Sequence, residues 1–136
     1  MKLPITGGCL CGAVRYTLKS LPNGSGFCHC RTCQRATGSG YFPFLFVVDA
    51  DLEITGKITE YVSVGSSGKQ IKRGFCGNCG TTLFGKLELF PEHRTVSASS
   101  LDNPADFNPQ ASMWIQDKQP WDTLNMSLKH YHENPG

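Results

Sequence analysis

Seven cysteines fall into three tight groups along the chain: Cys9 and Cys11, then Cys28, Cys30 and Cys33, then Cys76 and Cys79. The middle group, Cys28-His29-Cys30-Arg31-Thr32-Cys33, overlaps a CxC with a CxxC, a sulfur density that no ordinary strand or core requires. Thiolates this close can converge on one soft metal ion, and zinc is the default guest for such ligands in a reducing compartment. A disulfide framework would leave one of seven cysteines over, and reducing surroundings would not maintain it. Structural zinc is normally closed by four protein ligands, whereas catalytic zinc keeps a position open. A division into four plus three therefore suits one closed and one open metal site. The spacing favours that reading over buried, unligated thiols.

The segments between the cysteines read as short strands. Residues 12–18 alternate Val14, Tyr16 and Leu18 with Arg15 and Thr17, the pattern of a half-buried strand. Residues 21–26 hold Pro22 and Asn23-Gly24 and read as a turn. Residues 31–37 allow one or two helical turns before Gly38 stops them. Residues 42–48 (FPFLFVV) form the most apolar run, too short for a membrane span and suited to a strand buried on both faces. Residues 52–55, 58–64, 69–75, 81–89, 95–99 and 112–116 are further strand candidates, with turns at 49–51 and 65–68 and a loop over 102–109. Residues 122–136 read as a polar tail. Many short strands, little helix and no βαβ rhythm define a mainly β class.

Length and composition predict one domain over residues 1–136. With 39% hydrophobic and 18% charged residues the chain can bury a core, which excludes wholesale disorder. A net charge of +2 without a basic stripe argues against a nucleic-acid partner. The lead over residues 1–8 lacks the apolar core of a signal peptide, so the cytoplasm is the expected location.

Three blocks together resemble one family: Gly8-Cys9-Leu10-Cys11-Gly12; the six residues from Cys28 to Cys33 continued by Gln34-Arg35 and Gly38; and Phe75-Cys76-Gly77-Asn78-Cys79-Gly80-Thr81-Thr82-Leu83-Phe84. The order is similar to that of the glutathione-dependent formaldehyde-activating enzymes, a family that also includes centromere-protein-V-type domains. Trp114 and Trp121, with Lys118 and Pro120 between them, resemble its closing motif, so the likeness covers residues 5–121. The resemblance implies a β-tent fold of short antiparallel sheets around zinc knuckles, and two zinc ions. By that analogy Cys9, Cys11, Cys76 and Cys79 hold a structural zinc, and Cys28, Cys30 and Cys33 hold an active-site zinc. It also implies a carbon–sulfur lyase acting on S-hydroxymethylglutathione, with a glutathione-type thiol as substrate.

The chemistry of the donors agrees. Three thiolates on a divalent cation leave one negative charge, which makes a poor Lewis acid for ionising water. Such a site suits a substrate thiolate better than a hydrolytic hydroxide. His29 sits inside the triplet, where a tight CxC turn points it away from the shared metal, so a supporting role is expected rather than ligation. Arg31 and Arg35 could meet substrate carboxylates, against the plainer reading of a solvated helix face. His130 and His132 in the tail, and His93 in a turn, are expected at the surface. Trp114, Trp121, Phe42 and Phe44 are expected in core packing rather than in a pocket wall. Two rival functions stand beside the enzyme: a non-catalytic zinc module that binds a partner, and a zinc–thiolate redox or metal sensor.

Overall fold

The computed structural model describes residues 2–135. Met1 and Gly136, the outer ends of the lead and the tail, lie outside the described residues. Among the described residues the strands form two sheets. The smaller is antiparallel, made of β1 (Ile5–Gly8), β2 (Arg15–Leu18) and β5 (Leu52–Thr55) in the order β1-β2-β5. The larger contains β3 (Gly24–Cys28), β4 (Phe42–Val48), β6 (Ile58–Val64), β7 (Gln70–Cys76), β8 (Thr82–Leu87), β9 (His93–Ser97), β10 (Ala111–Met113) and β11 (Lys129–His130). Its order is β11-β10-β3-β4-β9-β8-β7-β6. Among the described residues a single α-helix, α1 (Arg31–Thr37), follows β3. The mainly β class read from the sequence is what the chain adopts.

Strand β4 shows why the molecule has two faces. Alternate residues of a strand point to opposite sides of the sheet. Leu45 and Val47 face the small sheet and join Ile5, Val14, Tyr16, Leu18, Leu83, Phe84 and Val96 in the main core. Phe42 and Phe44 face the other way and pack with Cys33, against Cys28, Cys30, Phe46 and Met113. Full burial of a side chain such as Leu45 contributes about 1.5–3 kcal/mol, so the main core anchors the larger sheet while its opposite face is left to the cysteine triplet. At Gly7 the small sheet lies close against the 3-10 turn Ala98–Ser100 that follows β9: an added Cβ would meet the Tyr16 side chain and the Ser100 carbonyl.

Several expectations are corrected. The turn expected over 21–26 ends at Asn23, because Gly24, Ser25 and Gly26 enter β3 and pair with β4. Gly26 allows that placement: an added Cβ there would meet the Ala111 carbonyl oxygen at 2.3 Å, so glycine lets β10 lie alongside β3. The pairings of β10 with β3 and with β11 are parallel rather than antiparallel. The strand expected over 112–116 stops at Met113, since Trp114 adopts a left-handed φ of 58° and turns the chain into a short 3-10 turn, Ile115–Asp117. The polar tail is tied down: the Tyr131 N–H donates to the Ser112 carbonyl at 2.8 Å, and the Trp114 N–H to the Glu133 carbonyl at 3.1 Å. Trp121 is 69% exposed and packs in no core. His93 begins β9 and stacks on Phe46 at 4.5 Å rather than standing free at the surface. Among the described residues no helix is long and apolar enough to cross a membrane.

Candidate metal centres

Two groups of thiols converge among the described residues. In each, every Sγ lies within 4.8 Å of the others. The first joins Cys9 and Cys11, just after β1, to Cys76 and Cys79 at the end of β7. Both halves are tight backbone turns. The Gly12 N–H donates to the Cys9 carbonyl at 3.1 Å, and the Gly80 N–H to the Cys76 carbonyl at 2.7 Å. Gly12 and Gly80 take φ of 81° and 79°, a region that glycine enters without penalty. Backbone N–H groups are turned onto sulfur, with Val14 donating to Cys9 at 3.2 Å and Cys79 donating to Cys76 at 3.5 Å. The Asn78 side chain donates to Cys11 at 3.2 Å.

The sulfur spacing fits a tetrahedral ion. Cys9 and Cys11 stand 3.6 Å apart and Cys11 and Cys76 3.8 Å apart. Tetrahedral zinc at a zinc–sulfur distance of about 2.3 Å requires sulfurs about 3.8 Å apart. A disulfide requires about 2.05 Å, and all seven cysteines are free. The Thr81 hydroxyl and N–H, followed by contacts from Cys11 and Cys76, hold the Cys79 thiol down at about 5, so Cys79 favours the thiolate form a metal needs, while Cys79 and Cys9 beside it push the Cys76 thiol up.

The second group is Cys28, Cys30 and Cys33. Cys28 ends β3. Cys30 is the N-cap of α1, its sulfur accepting the Cys33 N–H at 3.3 Å, and Cys33 lies in the first helical turn. Gly38, at a φ of 72°, closes the helix where the sequence indicated. Cys28 and Cys33 donate to Cys30, which pulls the Cys30 thiol far below its ordinary value; the same contacts and burial push Cys28 up. Both terminal nitrogens of Arg73 lie 3.8 Å from the Cys33 sulfur.

All three sulfurs line a cavity of about 620 Å³ on the face of the larger sheet turned away from the main core. Phe42 and Phe44, expected in core packing, pack against the cysteines and also form its wall, together with Trp114. Arg31 lines it too, while Arg35 is exposed on α1 and outside the lining. His29 is 2% exposed and belongs to neither the thiol groups nor the cavity wall. Its Nδ1 lies 3.0 Å from a carboxylate oxygen of Asp122, so Nδ1 carries the proton that it donates. Gln34 braces the same segment, donating to the carbonyls of His29 at 2.6 Å and Asp117 at 2.9 Å. His130 contacts the Asn125 carbonyl at 3.0 Å, and His132 is exposed; neither belongs to a converging group.

Sequence reasoning missed Arg73, Asp122 and the tail residues Lys129 and Tyr131, which also line the cavity or brace the triplet. For Arg73 a signal existed: an arginine between Ile71 and Phe75 in an alternating strand is out of place on a face that packs. Asp122 and Lys129 carry no such local signal.

The fold and the two thiol groups together define a small β-rich protein with one closed and one open candidate metal centre. The chain belongs to the family of glutathione-dependent formaldehyde-activating enzymes, whose model matches residues 4–117. A protein of Halomonas elongata that carries the provisional name glutathione-dependent formaldehyde-activating enzyme is 28% identical over 126 residues, covering 86% of this chain and 78% of that protein. A crystal structure of a Rhodobacter sphaeroides protein is 28% identical with a TM-score of 0.59, covering 74% of this chain and 93% of the other. Asp122 and β11 lie beyond the span of the family match.

Proposed function

We propose that the protein is a zinc-dependent carbon–sulfur lyase-like enzyme that forms and cleaves a glutathione–aldehyde adduct such as S-hydroxymethylglutathione. The observation that carries this reading is the convergence of three sulfurs in the wall of a large cavity with a guanidinium beside one of them. Cys9, Cys11, Cys76 and Cys79 would hold a structural zinc, and Cys28, Cys30 and Cys33 a second one. That second zinc, when bound, supplies a soft cation on which a substrate sulfur remains a thiolate at neutral pH.

The reaction itself is simple. In cleavage the adduct's hydroxyl loses its proton to a base or to water, the carbon–oxygen double bond forms, and the carbon–sulfur bond breaks with its electron pair moving to sulfur. No redox partner is needed. The chain contributes position and charge: Arg73 stabilises the thiolate that is released, and the cations Arg31, Lys69 and Lys129 on the cavity wall offer partners for the carboxylates of a glutathione-type thiol. Hydrolysis is disfavoured because a thiolate-rich site is electron-rich. Placement of the open triplet inside a cavity favours a small-molecule substrate over a module that only docks on a partner.

Metal content and spectroscopy test the reading. Two zinc ions per chain are expected, and after cobalt substitution one of them should change its spectrum when glutathione is added, and change again with formaldehyde. One metal per chain, or two that ignore thiol, would sink the proposal.

A further inference from the structure

The cavity has to seat both halves of the adduct, the thiol and the carbonyl group. Its volume of about 620 Å³ is that of a pocket for a drug-sized ligand. The apolar part of its wall has a definite direction and a definite chemistry.

The direction follows from strand register. On the face that carries the thiols, Cys28 stands opposite Phe42, Gly26 opposite Phe44, and Gly24 opposite Phe46. Directly opposed residues of an antiparallel pair share a face, and same-face residues advance about 6.8 Å per step. The floor thus runs about 13 Å from the Cys28 sulfur's strand position to Gly24. It is aromatic along that length, and Phe90 packs edge-on against Phe46 at its far end. One row of the sheet crosses that end: Gly24 opposite Phe46, Phe46 opposite Thr95, Thr95 opposite Gly85, and Gly85 opposite Arg73. Gly24 leaves its end of the row shallow, whereas the Thr95 hydroxyl covers Gly85. At Gly24 the nearest atom to an added Cβ is the Phe46 Cβ at 3.9 Å, so space is open above it.

The chemistry of the wall is divided. Phe42, Phe44, Phe46, Leu87, Phe90 and Met113 supply an apolar surface, while Arg31, Lys69, Arg73 and Lys129 stand against a single carboxylate, Asp117. A tripeptide thiol has carboxylates for those cations, but the Phe42, Phe44 and Phe46 side chains offer its amides no partner for the hydrogen bonds they make to water. An apolar group loses nothing there and gains by burial.

We infer that the carbonyl half of the adduct is a bulky apolar group, an aromatic or medium-chain alkyl aldehyde, seated on the Phe42–Phe44–Phe46 floor, with the anionic thiol half held by the cations. This rests on the proposed thiol–aldehyde chemistry and specifies its substrate class. The step is unchanged: the carbon–sulfur bond breaks, sulfur keeps the electron pair, the hydroxyl proton leaves, and the larger aldehyde departs.

Binding of S-methyl-, S-hexyl- and S-benzylglutathione to the zinc-loaded full chain, followed by calorimetry, tests the inference, since these thioethers carry an apolar group on sulfur as the adduct does. The hexyl and benzyl derivatives are expected to bind at least about tenfold more tightly than the methyl derivative, given the gain per buried methylene. In Gly24→Leu, whose side chain would occupy the far end of the floor, that ratio is expected to shrink to about threefold or less. A flat series in the wild-type protein, with glutathione still altering the cobalt spectrum, overturns this inference and leaves the thiol–aldehyde reading standing. Failure of every derivative and of glutathione alike overturns both. The wild-type series decides the matter even if the leucine variant does not fold.

Discussion

Arg73 caps the open thiol triplet, with both terminal nitrogens 3.8 Å from the Cys33 sulfur. A divalent ion on three thiolates carries one net negative charge, which would repel a fourth, incoming thiolate. The guanidinium offsets that charge from a strand that contributes no ligand to this centre. Arg73→Gln removes the charge while keeping a polar, unbranched side chain. Hydrogen bonds involving a charged partner contribute about 1.5–3 kcal/mol, so glutathione is expected to bind the cobalt-loaded site at least roughly tenfold more weakly. A titration followed by the cobalt spectrum checks this; an unchanged affinity would show that Arg73 does not act on the incoming thiolate.

Much of the site was legible because its ligands are local in sequence. The spacing of Cys28, Cys30 and Cys33 places them on a strand end, a cap and a first helical turn, and Gly38 marks the helix end through its left-handed φ. The same holds for β4, where six apolar residues in seven, besides Pro43, leave little choice but a central strand. What the sequence hid depends on register and on long-range return of the chain. Lys129 reaches the cavity only because β11 pairs in parallel with β10, and the reading of residues 122–136 as a polar tail missed it. Trp114 alternates like a strand residue until its left-handed backbone redirects the chain, and nothing in its neighbours announces that turn. Phe42 and Phe44 looked like core because core and cavity wall are made of the same side chains.

The two thiol groups should respond differently to loss of one ligand. Cys30 is also the N-cap of α1, and serine is a good N-cap, so Cys30→Ser preserves the helix start while weakening metal binding at the open triplet. Cys79→Ser instead opens the clamp that ties the turn after β1 to the end of β7, where metal-binding energy is folding energy. The expected outcome is lost activity with little change in melting temperature for the first, and a fall of at least roughly 10 °C for the second. Calorimetry with zinc analysis on both proteins checks it. Equal behaviour would mean that the division into a structural and an active centre is wrong.

Asp122 and His29 form a buried pair, with side chains 9% and 3% exposed, that fastens the segment after Lys118 behind the triplet. Asp122→Ala leaves a buried imidazole N–H without an acceptor, a cost of about 1–3 kcal/mol. Asp122→Asn retains an amide oxygen that can accept the same proton, and is expected to lose less than about half as much. Urea unfolding midpoints of the two variants provide the comparison. Identical losses would show that the hydrogen bond to His29 contributes nothing to stability.

Tyr16 gives the fold a testable alkaline limit. Burial between the sheets pushes its phenol up to about 12 from an ordinary 10.0, outweighing the hydrogen bond with Ser100. Ser100 donates to the Ser97 carbonyl at 2.7 Å, so Tyr16 donates to Ser100, also at 2.7 Å. The folded state therefore keeps its phenol proton at a pH where the unfolded chain releases it. Stability from this group is complete below pH 10 and is lost as pH rises towards 12, by about 2–3 kcal/mol in all. Tyr16→Phe removes both the hydrogen bond, which contributes about 1 kcal/mol, and the titration. Ser100 keeps its bond to Ser97 in that variant. Near neutral pH the wild-type protein should be the more stable by about 1 kcal/mol; the gap should close near about pH 11 and reverse above it. Denaturant unfolding of both proteins from pH 8 upward measures the difference directly, and lysines or cysteines that titrate in the same range cancel because both proteins carry them. A gap independent of pH would show that the Tyr16 phenol ionises as readily in the folded protein as in the unfolded chain.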